Sequence, residues 1–275
     1  VKLLEKQSRN SADYIVKGET IHYCIEGENT EILKVDLEPS MKKPFYGDPS
    51  LMVYIQGDVE SEDLCLIQRR NFLEHKYKHI LGILKRLIIG ECICVTRHRA
   101  GSEGGSVGYA GNCPGNILPL RLNNETILTL RDVFMASFGN FNLSVDLCLE
   151  PALIVRGRAL LMEKVSGDGI IFLQSGGDLF DVMLKKDEIL QAEYGSVVAW
   201  EETVDFTYTF SDFGSAFSGK GMFMNVLTGP GRVIIQTMSI PKMKNCLHST
   251  SFSPLPFMVM DSVVSRIRRI LKIGL

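Results

Sequence analysis

Several stretches of this 275-residue chain carry side chains whose type and spacing could do chemistry. His75 and His79 stand i, i+4, a spacing at which two imidazoles on one helix face can chelate zinc. Glu74 precedes His75, but no HExxH is present and no third ligand is evident, so a solvated helix face is the plainer reading. Glu201, Glu202 and Asp205 form an acidic cluster of the kind that serves acid–base work, although in a β-turn such residues face solvent. Residues 101–111 (GSEGGSVGYAG) have the glycine density of a phosphate cradle. They lack the Gly-Lys-Ser/Thr ending and do not open an apolar helix, which leaves a hairpin loop. Ser, His and Asp residues are plentiful, but no nucleophile elbow or other activating context accompanies them. The seven cysteines are odd in number and contain no CxxC pair. Cys92 and Cys94 would share one face of a strand, and the pattern fits reduced thiols in an intracellular protein. Asn124-Glu125-Thr126 and Asn142-Leu143-Ser144 match the glycosylation pattern, which chance often supplies. Trp200 aligns with Ile55 in the repeats described next, which favours packing over ligand stacking. No metal site, cofactor motif or catalytic set emerges.

The elements that position these residues are built around residues 219–237 (GKGMFMNVLTGPGRVIIQT). This stretch reads as a strand, a tight turn at Gly229-Pro230-Gly231, and a second strand. Residues 157–175 (GRALLMEKVSGDGIIFLQS) align with it over nineteen positions without a gap, at an offset of 62. Gly167 and Gly169 fall on Gly229 and Gly231, and Gln174 falls on Gln236. A second block, 189–208, holds a turn at Gly195, a short apolar strand, the acidic turn, and alternating Val204, Phe206 and Tyr208. Residues 127–145 repeat it, and 38–59 repeat it more weakly. The reading is all-β, with three copies of one β-unit at 14–121, 122–183 and 184–240. The structural turns are expected at Gly167, Gly169, Gly195, Gly229 and Gly231.

The first copy is longer because of two insertions. Residues 69–89 place Leu73, Tyr77, Ile80, Leu81, Leu84, Leu87 and Ile88 at helical spacing. Their exposed side carries Arg69, Arg70, Lys76, Lys78, Lys85 and Arg86, the candidate interaction surface. The bland reading is a solvated helix over the β-core; a protein or lipid contact and RNA are the sharper ones. Residues 97–115 read as a mobile loop by composition. After a Ser/Pro linker, residues 258–273 form an amphipathic helix. Met260, Val263, Val264, Ile267, Ile270 and Leu271 make one stripe, and Arg266, Arg268, Arg269 and Lys272 lie off it. Such a short helix must bury its stripe against its own core, a partner subunit or an anionic membrane surface.

Four phrases give the chain a family resemblance: GDPSLMVYIQGDVE at 47–60, GNILPLRL at 115–122, YGSVVAWEETVDF at 194–206 and FSGKGMFMNVLTGPGRVIIQT at 217–237. They resemble the altered-inheritance-of-mitochondria (mitochondrial biogenesis) family, which has many bacterial members. The resemblance implies three repeats, each like a subunit of the tryptophan RNA-binding attenuation protein. Those units are short double-stranded β-helix-like sandwiches in a pseudo-threefold arrangement. The basic helical insertion, the Gly/Ser loop and the C-terminal helix depart from the usual pattern. The family offers no established catalytic residues to carry over.

The net charge of −2 gives no global basic field for nucleic acid or membrane. No apolar run is long enough to span a bilayer. The opening residues lack a signal-peptide core, and the start at Val1 leaves a preceding segment open. The leading expectation is a non-catalytic β-scaffold that binds a protein partner or assembles with itself. The alternative is a nucleic-acid or small-ligand binding module; an enzyme is the third reading. Nucleic acid is disfavoured, and peripheral membrane contact would go through the C-terminal helix. The compartment expected is mitochondrial for a eukaryotic source and cytoplasmic for a bacterial one.

Overall fold

The structure is a computed structural model that describes residues 2–3, 12–16, 19–65, 94–130, 133–148, 160–193, 195–210, 223–239 and 242–243. The basic insertion 69–89, with Arg69, Arg70, His75, Lys76, Lys78, His79, Lys85 and Arg86, lies outside the described residues. So does the C-terminal segment 258–273.

The described residues are nearly all strand. In chain order they are β1 (Lys2–Leu3), β2 (Ala12–Val16), β3 (Glu19–Glu26), β4 (Ile32–Leu37), β5 (Phe45–Gly47), β6 (Met52–Cys65), β7 (Cys94–Ala110) and β8 (Ile117–Leu130). There follow β9 (Phe134–Cys148), β10 (Leu160–Gln174), β11 (Leu179–Leu184), β12 (Ile189–Glu193), β13 (Val197–Glu201), β14 (Asp205–Phe210), β15 (Phe223–Thr228) and β16 (Gly231–Gln236). Their pairing is antiparallel throughout. One sheet runs β1-β11-β16-β13-β8-β10-β9-β5-β7-β4-β3-β2, with β6 joined to β7. A smaller sheet runs β12-β15-β14. The all-β expectation therefore holds.

Local sequence explains the strands. On β3 Ile21, Tyr23 and Ile25 are buried, and on β4 Leu33, Val35 and Leu37 are buried, so period-2 patterning sets which face goes inward. The centre of the large sheet has a different pattern. On β10, Ile170 and Phe172 enter one core cluster while Ile171 and Leu173 enter the other. A strand covered on both faces needs apolar side chains at consecutive positions, as Ile170-Ile171-Phe172-Leu173 and Val197-Val198-Ala199-Trp200 supply. Trp200 is 1% exposed and stacks on Phe206 at 4.6 Å between centroids, as its alignment with an apolar residue suggested. Before β6, the phrase Gly47-Asp48-Pro49-Ser50 forms a turn leading into one turn of 3-10 helix, Pro49–Leu51. The Asp48 carboxylate caps it, accepting from Ser50 N at 2.8 Å and Ser50 Oγ at 2.7 Å.

Three expectations are corrected. Residues 97–110 are not a mobile loop but most of β7, which pairs with β4, β5 and β6. Their glycines answer to close approach: a Cβ on Gly105 would run into the Gln56 carbonyl oxygen, and one on Gly108 into the Tyr54 ring. Composition alone reads such glycines as flexibility. Gly167 and Gly169 are not at a turn between two strands. They lie inside the continuous β10, where its pairing with β8 shifts register between Gly167 and Asp168. The extra residue is Asn124 on β8, since Gly167 pairs with Glu125 and Asp168 with Asn123, and β10 runs through without ending. The third correction concerns β15 and β16, which are not a hairpin. β15 pairs with β12 and β14, and β16 pairs with β11 and β13. The Gly229-Pro230 link, a cis peptide, therefore carries the chain from the small sheet to the large one.

Candidate functional site

The glycines mark how the corners are built. Gly229 N donates to the Glu188 carbonyl at 2.9 Å, and Gly231 has φ +144°. A side chain at Gly231 would also meet Thr203 Oγ1 at 2.6 Å and Val204 Cγ2 at 2.7 Å. Gly195, with φ +85°, stands in the turn before β13. Its carbonyl accepts from Gln236 Nε2 at 2.7 Å, while Gln236 Oε1 accepts from Gly176 N at 2.7 Å. Gln174 plays a like part, its Oε1 accepting from Asn112 N at 2.8 Å. The two aligned glutamines thus pin loop backbone that has no ladder partner of its own.

The acidic cluster is tied into the surface. Glu201 Oε2 accepts from Arg232 N at 3.0 Å, and Glu202 pairs with Lys164. Arg232 Nε donates to Asp181 Oδ1 at 2.9 Å. Glu201, Glu202 and Arg232, together with Arg121 and Glu125, line a cleft of about 370 Å³ between β8, the 201–203 turn and β16. Glu202 and Asp205 are exposed, in keeping with a solvent-facing turn. Among the described residues, no group of three or more His, Cys, Asp or Glu side chains could hold a metal ion.

Sequence reasoning missed the polar relay between β6 and β7. His98 is fully buried, yet both ring nitrogens have partners: Nδ1 is 2.7 Å from Ser61 Oγ and Nε2 is 2.5 Å from the Tyr109 hydroxyl. Register explains the first contact, since Ser61 is directly opposite His98. The second partner, Tyr109, sits in an aromatic group with Phe45 and Phe172, and its ring covers Gly47, where a Cβ would collide with it. Burial pushes His98 down to about 4, against an opposing pull from the Asp63 carboxylate. Burial also pushes the Tyr109 hydroxyl up, helped by Asp48 and Asp63. A neutral imidazole offers one donor and one acceptor, which two hydroxyls can satisfy; an imidazolium would need two acceptors. A ring held that far below neutrality takes up little proton at pH 7 and is a weak general base. The relay is legible in sequence only as three separated residues, with no spacing to connect them.

Directly above the relay lies an edge. Among the described residues β6 pairs with β7 alone, so the other side of its fourteen residues offers open backbone groups. Met52, Val53 and Ile55 are 37%, 58% and 40% exposed along it. β12 and β14 are the edges of the small sheet, and Ile189 on β12 is also exposed. Long edges with apolar side chains are sites where another strand adds.

An antiparallel all-β protein with two bent, packed sheets and an open edge is the class these features define. A model of the mitochondrial biogenesis AIM24 family matches residues 23–238, and the chain belongs to that family. A Streptococcus pyogenes protein solved by X-ray crystallography has the same fold. Its TM-score is 0.64 at 20% identity, covering 84% of this chain and 99% of the bacterial one. No curated protein sequence matches.

Proposed function

We propose that this chain is a non-catalytic β-scaffold that works by binding protein, in the first place a second copy of itself. The observation that carries this reading is the one-sided β6 edge with Met52, Val53 and Ile55 exposed along it. The reading has the chain built of three like units in a pseudo-threefold arrangement, each like a subunit of the tryptophan RNA-binding attenuation protein. Several features support this. Among the described residues Asn124 and Asp187, 63 apart, are the non-glycine residues with positive φ, at 56° and 63°. Gln174 and Gln236 pin loops in the same manner. Two pairings between proposed units occur at matching places, β13 on β8 and β9 on β5. The counterpart of these pairings would join β6 to β12, and both are free edges among the described residues. Strand addition at β6 supplies backbone hydrogen bonds, and the apolar side chains supply buried area.

The proposed compartment is the interior of the cell, a mitochondrion for a eukaryotic source and the cytoplasm for a bacterial one. The family description and the thiols of Cys24 and Cys113, which form no disulfide, support it. The test is mass in solution. Sedimentation velocity of the full chain is expected to give a species larger than one chain, and Val53→Lys with Ile55→Lys is expected to reduce it to the monomer while leaving the melting temperature within a few degrees. A wild-type monomer at all concentrations overturns self-association.

A further inference from the structure

We propose that Cys65 and Cys94 are a redox-responsive dithiol that oxidises to an intrachain disulfide. Cys65 is the last residue of β6 and Cys94 the first of β7, and the antiparallel register sets them directly opposite each other. Opposite residues of such strands have Cα atoms about 4.5 or 5.5 Å apart, and a disulfide spans roughly 4.4–6.8 Å between Cα atoms. The backbone has no need to move for the bond to close. Residues 66–93 separate the two cysteines in the chain, so nothing in their spacing pairs them.

The register is fixed by side chains up to this end of the ladder. Thr96 Oγ1 donates to Asp63 Oδ1 at 2.6 Å, and Ser61 Oγ lies 2.7 Å from His98 Nδ1. Arg97 forms an ion pair with Glu62. Each of these contacts joins residues directly opposite one another, and no bulge interrupts the pairing from Val59 to Cys65. A slip that parted the cysteines would break all three contacts, one of them on a buried histidine. Among the described residues no other two cysteines are register partners: Cys24 is opposite Lys34 and Cys148 is opposite Leu160. Cys94 is half-buried, which leaves part of its surface open to a small oxidant.

The oxidant is a low-molecular-weight disulfide, of which glutathione disulfide is the common case. The Cys94 thiolate attacks one of its sulfurs, the oxidant's S–S bond breaks, and one glutathione thiolate leaves. The Cys65 thiolate then attacks the Cys94 sulfur of the mixed disulfide, forming the Cys65–Cys94 bond and releasing the second glutathione thiolate. The two protons lost by the protein end on the two glutathione thiols, and the two electrons reduce the oxidant. In a reducing compartment the pair rests as thiols, and a bond formed there is a transient, redox-sensing one. Among the described residues β7 is the one ladder partner of β6. Closure therefore ties that open strand down at the point where its pairing ends.

The experiment incubates the full chain with glutathione disulfide in excess over glutathione, blocks the remaining thiols with N-ethylmaleimide, and maps linked peptides by tandem mass spectrometry. The expected product is a Cys65–Cys94 link in the single-chain band of a non-reducing gel, reversed by excess glutathione. Cys92, two residues from Cys94 in sequence, is the internal control. The link is expected to persist in Cys92→Ser and to be lost in Cys65→Ser and Cys94→Ser, with circular dichroism showing whether each variant is folded. In denaturing guanidinium chloride the preference for Cys94 over Cys92 is expected to vanish, because register no longer selects it. The wild-type map decides the matter even where a variant fails to fold. A link from Cys65 to Cys92 in place of Cys94, a link found only between chains, no link at full oxidation, or the same preference in denaturant overturns the proposal.

Discussion

His98 has its two nitrogens satisfied by hydroxyls, 2.7 Å from Ser61 and 2.5 Å from Tyr109, and burial holds its pKa at about 4. In the unfolded chain an ordinary histidine titrates near 6.5. The unfolded state therefore binds more protons between pH 6.5 and 4, so stability rises with pH across that window. The contribution is fully present above pH 6.5 and is lost as pH falls toward 4. Its size is about 2–3 kcal/mol. Denaturant melts at pH 7 and pH 4.5 are expected to show a larger loss in the wild type than in His98→Gln, whose amide keeps hydrogen-bonding capacity and does not titrate. Equal losses in the two proteins would remove His98 as the source. Comparing the pair cancels the carboxylates that also titrate at the acid end. The relay also has a structural consequence: it ties β6 to β7 through the core, directly beneath the edge assigned to assembly.

At the scale of elements, β7 decides between two readings of one glycine-rich stretch. A loop exchanges its amide hydrogens fast; a paired strand protects them. Here β7 is bonded through Arg97 and His98 to β5, through Gly105 to Ala110 to β4, and along both halves to β6. Hydrogen exchange read by mass spectrometry should therefore protect peptides covering 95–100 and 105–110 by orders of magnitude over a free loop. Weaker protection is expected at 101–104, where the pairing with β6 is interrupted between Gly57 and Val59. Uniformly fast exchange from 97 to 110 would restore the loop. The same logic applies to β10. Its bend at Gly167 and Gly169 lets one strand serve both halves of the fold, whereas β15 and β16 do so as two strands joined at Gly229-Pro230.

For the whole molecule, two core clusters meet across the β8-β10-β9 centre of the large sheet. One contains β3, β4, β5 and β7 residues, and the other contains the residues of β11, β13 and β16 with Leu227 and Val204 from the small-sheet side. Both clusters are extensive among the described residues alone. The amphipathic helix expected from the sequence at 258–273 would need a partner surface for its stripe, since an isolated helix of that length is marginal in water. Deleting 258–275 is thus expected to leave a folded β-core while changing either the melting temperature or the mass in solution. A lower melting temperature at unchanged mass means the stripe covers its own core; a reduced mass at unchanged melting temperature means it holds an assembly. If neither changes, liposome sedimentation of the full chain checks the anionic-membrane reading.

The sequence by itself determined the strand content, because period-2 runs such as Ile21-Tyr23-Ile25 and continuous runs such as Ile170-Ile171-Phe172-Leu173 leave few other ways to bury apolar surface. It also determined where backbone is crowded, because the glycine positions repeat at a fixed spacing. Tertiary structure alone decided what each glycine does. A glycine permits a left-handed residue, a bend or a close approach equally well, and its neighbours across the sheet select one. That is why Gly105 and Gly108 proved to be strand, why Gly167 and Gly169 sit in a bend, and why Gly229 joins two sheets. The relay of Ser61, His98 and Tyr109 was hidden for a related reason. Ser61 lies on a different strand from His98 and Tyr109, and register between strands is set by bulges and bends that local sequence does not encode.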